Sequence, residues 1–147
     1  MRELFSFSQQ YTISMVFRTQ GTSLSGQSIT DGILVNLSRY WRLFKVKSLV
    51  RLVRVQPGII AAQVNHQLKR YGRKIGPDPA SINAAMMGGI LSNNLSGMCC
   101  GVQHNSYHTL QYIKFMLTTG LHVTQKIKKI TYVLKMNLPH FLVSCCN

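Results

Sequence analysis

Residues 18–28 read RTQGTSLSGQS, and from Gly21 they spell G-x-x-x-x-G-Q-S. This is one letter from the G-x-x-x-x-G-K-[ST] loop of nucleotide hydrolases. In that loop the lysine reaches the outer phosphates and the following hydroxyl holds Mg²⁺, so Gln27 removes the charge that nucleotide hydrolysis needs most. The backbone chemistry survives. Gly21, Gly26 and the small hydroxyl residues Thr22, Ser23 and Ser25 can leave consecutive N–H groups converging on an anion. The same composition also suits an ordinary Gly/Ser turn between two strands, and both readings stand on this stretch alone.

Other reactive side chains are sparse. His66, His104, His108, His122 and His140 occur singly with no partnering carboxylate beside them, so they read as surface or packing histidines and no catalytic residue is assigned. The cysteines form adjacent pairs, Cys99-Cys100 and Cys145-Cys146, which match neither C-x-x-C metal spacing nor a spread disulfide framework. No metal site is expected. The acids are Glu3, Asp31 and Asp78. Asp31 follows the loop too closely to be the ribose-binding acid of a dinucleotide fold, and no G-x-G-x-x-G is present, which disfavours Rossmann-type NAD binding.

A chain of 147 residues with 46% hydrophobic content suits one domain with a real core. No apolar run approaches the roughly 18 residues of a membrane span. Seventeen Lys and Arg against three acids give a formal charge of +14, which raises nucleic acid or an anionic membrane as partners. The charges cluster at residues 39–54, 69–74 and 126–135 without an RNA-binding signature, a helix-turn-helix pattern or a zinc finger. Nucleic acid is therefore not the favoured partner, and a small basic nucleic-acid- or anionic-membrane-binding protein is the alternative reading. The opening MRELFSFSQQ lacks a secretory layout, so a cytoplasmic location is expected.

The elements that must position these residues follow from periodicity. Leu4, Phe5 and Phe7 suit the end of a helix within residues 2–11, and residues 13–17 read as a short buried strand running into the glycine loop. Residues 32–37 (GILVNL) and 49–55 (LVRLVRV) read as further strands, the second closed by Pro57-Gly58. From Ile59 to Tyr71 the spacing of Ile60, Ala61, Val64 and Leu68 predicts an amphipathic helix, stopped by Gly72. Residues 76–101, GPDPASINAAMMGGILSNNLSGMCCG, carry two prolines and five glycines. They predict a long loop that is either a binding surface or an irregular connection. Residues 110–117 alternate and return through Thr119-Gly120 to residues 121–123 as a hairpin. After Thr124 the character changes to TQKIKKITYVLKMNLPHFLVSCCN, where IKKITYVL alternates well enough for an edge strand.

Six strings in order, FRTQGTSLSGQ, VRVQPG, GRKIGPDPAS, MGGILSNN, SGMCCG and NSYHTL, resemble the FAD-binding domain of the D-lactate dehydrogenase-like flavoproteins. These belong to the vanillyl-alcohol oxidase and p-cresol methylhydroxylase superfamily, and the resemblance covers residues 2–123. It implies an α+β fold, with two small α+β subdomains of a p-cresol methylhydroxylase-type FAD-binding domain, incomplete at both ends. It divides the chain into a partial FAD-binding domain, 1–123, and a divergent basic tail, 124–147. A shifted frame, a retained intron or a truncated gene copy would produce such a tail.

By the same resemblance Arg18, Thr19, Gln20, Gly21, Thr22 and Ser23 line the diphosphate of FAD. Backbone N–H groups of Gln20 to Ser23 would donate, with Gly26 relieving crowding behind them. Pro77, Asp78 and Ser81 would approach the flavin ring or its ribityl chain. Gly88, Asn93, Asn94, Ser96 and Gly97 would lie along the cofactor in the second long loop. Thr22 stands where covalently flavinylated relatives carry a histidine, which implies noncovalent FAD. Gln20 replaces a common third glycine, Ser14 a common proline, and Leu95 a usually small residue, so that its bulk would crowd the cofactor channel. The implied function is the FAD-binding fragment of an oxidoreductase acting on a D-2-hydroxy acid. The small-acid substrate would be a partner only of the complete enzyme, and the fragment would be inactive alone.

Overall fold

The computed structural model describes residues 1–47, 49–98, 101–127 and 140–146. Helix α1 (Arg2–Gln10) buries Phe5 and sets its ring 5.9 Å from that of Phe17. Phe17 lies on β1 (Met15–Arg18), which pairs in parallel with β2 (Ile33–Asn36), Met15 opposite Ile33 and Arg18 opposite Asn36. Parallel neighbours cannot be joined by a tight turn, because the chain must travel back along the strands before pairing again. Residues 19–32 make that return. The glycine stretch is therefore the start of a crossover at the carboxyl end of β1, not a hairpin turn.

The larger sheet is antiparallel throughout. It contains β3 (Phe44–Lys47), β4 (Leu52–Val55), β5 (Lys74–Ile75), β6 (Leu110–Met116), β7 (His122–Lys126) and β8 (His140–Cys146). The order is β3-β4-β8-β6-β7, with β5 also paired to β8. The expected hairpin is present as β6 and β7, Met116 opposite His122, and β7 runs on through Thr124. Strand β8 lies between β4 and β6, with Val53 opposite Val143 and Ile113 opposite Phe141. Beyond Ile127, the expected edge strand lies outside the described residues, as do Cys99 and Cys100. Helices and strands mixed in two separate sheets make the α+β fold that the sequence implies.

Helix α2 (Ala61–Lys69) buries Ala61, Val64 and Leu68, one stripe at helical spacing. The stripe joins Val53 and Val55 of β4 and Ile113 and Phe115 of β6 in the core. No side chain caps the start of α2. Its first N–H groups are satisfied by the chain beyond it: Ala61 donates to Ala85 O at 3.0 Å and Ala62 to Ile82 O at 3.2 Å. Bonds also run the other way, Met87 N to Ile59 O and Gly88 N to Pro57 O, both at 2.9 Å. Residues 57–62 and 82–88 are thus zipped together, with Ile60 and Met86 bridged between them.

Two expectations need correction. The expected loop 76–101 contains a helix, α3 (Met87–Ser92), which buries Met87, Ile90 and Leu91. Two glycines in six residues lower its intrinsic propensity, and packing of that i, i+3, i+4 face overrides the deficit. The strand expected from Leu49 begins instead at Leu52. Leu49 (φ 53°) and Val50 (φ 66°) form the reversal between β3 and β4. Two successive left-handed residues suit a tight antiparallel hairpin, which favours Asn-Gly and penalises Leu-Val. β3 escaped notice because lysines alternate with its apolar residues, FKVK.

Leu49 is 94% exposed, so its side chain contributes little packing to offset a left-handed backbone. Leu49→Asn should stabilise the fold by about 1 kcal/mol, because asparagine tolerates this region. The check is the urea midpoint at constant m-value, and an unchanged or lowered midpoint contradicts the turn geometry.

Candidate functional site

The chain leaves β1 at Arg18 and opens into a loop whose glycines adopt left-handed angles, Gly21 at φ 75° and Gly26 at φ 74°. A Cβ built on Gly21 would lie 2.5 Å from Arg18 Nε, so the guanidinium folds back over the glycine. The backbone N–H groups of Gln20, Gly21, Thr22 and Ser23 donate to no protein acceptor among the described residues. Free N–H groups beside a guanidinium are the donors from which an anion cradle is made. Within the loop, Ser23 Oγ donates to Gln27 Oε1 and accepts from Ser25 N at 3.4 Å. Gln27, standing where a nucleotide hydrolase has its lysine, serves as an internal latch. The sequence alone carried no signal for that role.

The loop meets the first turn of α3. A Cβ on Gly88 would sit 2.9 Å from Thr19 Cγ2 and 2.7 Å from Pro57 Cβ, and one on Gly89 would sit 3.4 Å from Thr19 Oγ1. Any side chain at Gly88 would wedge the loop away from the 57–62 segment. Gly88, expected in a loop, lies in a helix, with Thr19 of the loop after β1 packed against it.

A second cluster forms at the other end of α3. Asp78 N donates to Ser96 O at 2.7 Å, and a Cβ on Gly97 would fall 1.8 Å from Asp78 O. The 77–81 and 93–97 segments therefore cross in backbone contact. Pro77 is buried, Ser81 and Asn93 are exposed, and the half-buried Asp78 pairs with Lys74 Nζ at 4.0 Å. Asn94 (φ 49°) ends the helix in the left-handed region, and Leu95 N reaches back to Ile90 O at 2.9 Å. This is a Schellman termination, which wants an apolar residue after the left-handed one. Leu95 supplies it and packs against the core, so the crowding expected of its bulk is not directed at the loop surface.

The residues singled out from sequence thus fall into two groups. The loop of Arg18 to Ser23 reaches Gly88 through Thr19 at one end of α3, and the segment of Pro77, Asp78 and Ser81 crosses that of Asn93, Asn94, Ser96 and Gly97 at the other, while Gly26 has no such neighbour. Six helical residues rise about 9 Å. Sequence reasoning assigned no role to Ser106 and Tyr107, which bond to Leu95 O and to Asn94 Oδ1. Their signal was a polar Asn-Ser-Tyr run directly before an apolar strand.

A shallow groove of about 460 Å³, lined by His66, Lys69, Arg73 and Lys74 among others, shares no residue with these clusters. Among the described residues no group of three or more His, Cys, Asp or Glu could hold a metal ion. No helix there is long and apolar enough to cross a membrane.

Comparison with known proteins extends this picture. The chain is 34% identical over 107 residues to D-2-hydroxyglutarate dehydrogenase of Pseudomonas putida, covering 71% of this chain and 11% of that protein. It is 27% identical over 114 residues to glycolate oxidase subunit GlcD of Escherichia coli, covering 76% of this chain and 23% of the subunit. The chain thus spans about a tenth to a quarter of the curated relatives it matches. The fold is shared with 6-hydroxy-D-nicotine oxidase from Arthrobacter nicotinovorans, at TM-score 0.82 and 11% identity, over 98% of this chain and 33% of that one. Xylooligosaccharide oxidase from Myceliophthora thermophila gives TM-score 0.80 at 14% identity, over 98% of this chain and 33% of that one. The profile of the FAD binding domain matches residues 1–125, which hold the cradle, α3 and both crossing segments. With that match over most of its length, the chain belongs to the FAD binding domain family.

Proposed function

We propose that this chain holds FAD noncovalently and is the FAD-binding portion of a flavin-dependent oxidoreductase acting on a D-2-hydroxy acid. The observation that carries the reading is the row of free N–H groups at residues 20–23, closed by Arg18 and shaped by two left-handed glycines. A diphosphate that is bound and not cleaved needs oriented N–H groups and one cation, and neither lysine nor Mg²⁺. The residues present fit that group. Bound flavin supplies the redox chemistry, and the protein supplies position and electrostatics.

In this reading Gln20 to Ser23 donate to the diphosphate and Arg18 offsets its charge. Residues Gly88, Asn93, Asn94, Ser96 and Gly97 line the path along α3, and Pro77, Asp78 and Ser81 approach the ribityl chain or flavin ring. The two clusters lie at opposite ends of α3, which suits an extended cofactor whose diphosphate and ring are held apart. The acid substrate is inferred from relatives named for D-2-hydroxyglutarate and glycolate.

Gly21→Val and Gly26→Val should each weaken FAD binding about ten- to a hundredfold, since a β-branched residue resists positive φ by about 1–3 kcal/mol. A Cβ on Gly26 meets nothing within 4 Å, so Gly26→Asn should retain FAD where Gly26→Val does not. Equal loss in both would assign Gly26 to contact with the ligand and not to backbone angle. Acid precipitation of FAD-loaded protein should leave the yellow colour in the supernatant, because Thr22 cannot form the histidyl link. A coloured pellet would refute noncovalent attachment. The 147-residue chain, assayed by dye reduction with D-lactate, D-2-hydroxyglutarate and glycolate, should show no turnover. Activity with any of the three would place catalytic groups within these residues.

A further inference from the structure

Among the described residues, the buried polar side chains are Asn105, Ser106 and Thr109, all in one five-residue stretch. Burying polar groups is costly unless each is hydrogen-bonded, so such a cluster marks a place where geometry is being specified. The bonds leave it in one direction. Ser106, fully buried, donates from Oγ to Leu95 O. Tyr107 N donates to Asn94 Oδ1 at 3.0 Å, and the Tyr107 hydroxyl donates to Ser92 O at 3.4 Å. Burial pushes the Tyr107 phenol above its usual pKa, which keeps it a protonated donor.

The gripping turn is itself locked. It opens the short helix α4 (Ser106–Thr109), where Asn105 Oδ1 accepts from His108 N at 2.9 Å and Thr109 Oγ1 returns to Asn105 O at 3.0 Å. Three bonds thus run from Ser106 and Tyr107 to Ser92, Asn94 and Leu95, the residues that turn the chain out of α3. Asn94 Oδ1 is engaged in this grip, and its amide N–H groups remain to donate to another acceptor. Asn93 is exposed and keeps both functions.

We infer that the Asn105-Ser106-Tyr107 turn is a clasp that sets the shape of the 92–97 loop for the flavin, with Asn94 acting as a positioning residue through its side-chain oxygen. The inference rests on the reading that this chain holds FAD. In it, Ser106 and Tyr107 never touch the cofactor, yet cofactor affinity depends on them.

The 147-residue chain and its Ser106→Ala, Tyr107→Phe, Asn94→Asp and Asn94→Ala variants are compared by hydrogen exchange without FAD and by FAD titration followed by flavin fluorescence. The visible flavin bands are recorded at saturation. Ser106→Ala and Tyr107→Phe should exchange faster across residues 92–97 with α2 unchanged. Each should bind FAD about five- to tenfold more weakly and blur the fine structure of the flavin bands. Asn94→Asp keeps the acceptor and tolerates the left-handed backbone, so its exchange across residues 92–97 should match the parent's. Asn94→Ala loses both and should behave like Ser106→Ala. If Ser106→Ala unfolds the chain, exchange in α2 reveals it, and the half-exposed Tyr107→Phe carries the test.

Unchanged exchange at 92–97, or unchanged affinity despite faster exchange, overturns the clasp. Exchange across residues 92–97 that is as fast in Asn94→Asp as in Asn94→Ala overturns the role given to Asn94. A parent chain that binds no FAD overturns the cofactor reading beneath, and that result is read from the parent alone.

Discussion

The structure depends on one set of backbone bonds. Residues 57–62 and 82–88 exchange N–H and C=O groups in both directions, from Gly88 N to Pro57 O at one end and from Ala62 N to Ile82 O at the other. Each bond satisfies a group that would otherwise be an orphan at the start of α2 or α3, neither of which has a side-chain cap. The same bonds fix the angle at which α3 enters, and with it the two glycines that receive the loop after β1. Core packing and site geometry are thus coupled. Buried Pro57 and Ile59 anchor one strand of the zip, and buried Ala85, Met86 and Met87 anchor the other.

From that anchor the candidate site is built mainly of backbone. The free N–H groups at 20–23, the crossing of Asp78 with Ser96 and Gly97, and the Schellman turn at Asn94 all rely on main-chain atoms held at close range. Oriented amides suit an anion that is bound and not transformed, because they need no reorganisation and no proton transfer. The formal charge of +14 is largely unrelated to this chemistry. Among the described Lys and Arg, Arg18 folds over Gly21, while Lys45, Lys47, Lys69 and Lys74 are on exposed strand or helix positions. Net charge bears on solubility and nonspecific attraction, and local geometry decides what is bound.

Elements with a clean period were legible from sequence. Ala61, Val64 and Leu68 announce α2, and alternation over residues 110–117 announces the hairpin of β6 and β7. Elements whose local signal contradicts their structure were not. Helix α3 is hidden by its own glycines, β3 by its lysines, and the β3–β4 reversal by a Leu-Val pair where Asn-Gly would be diagnostic. Ser106 and Tyr107 received no role, because nothing in the sequence says that their hydroxyls face carbonyls of residues 92 and 95.

The sequence by itself determined the family, through short strings whose order and spacing are chemically restrictive. It also set aside nucleotide hydrolysis at residues 18–28, since Gln27 cannot replace the lysine that reaches the outer phosphates. Only the tertiary structure decided that the glycine loop is a crossover between parallel strands, that Gly88 opens a helix against Thr19, and that Leu95 turns toward the core. The physical reason is range. Residue type and periodicity report interactions within a few positions along the chain, whereas strand direction, backbone crossings and buried hydrogen bonds are settled between segments brought together only when the core closes.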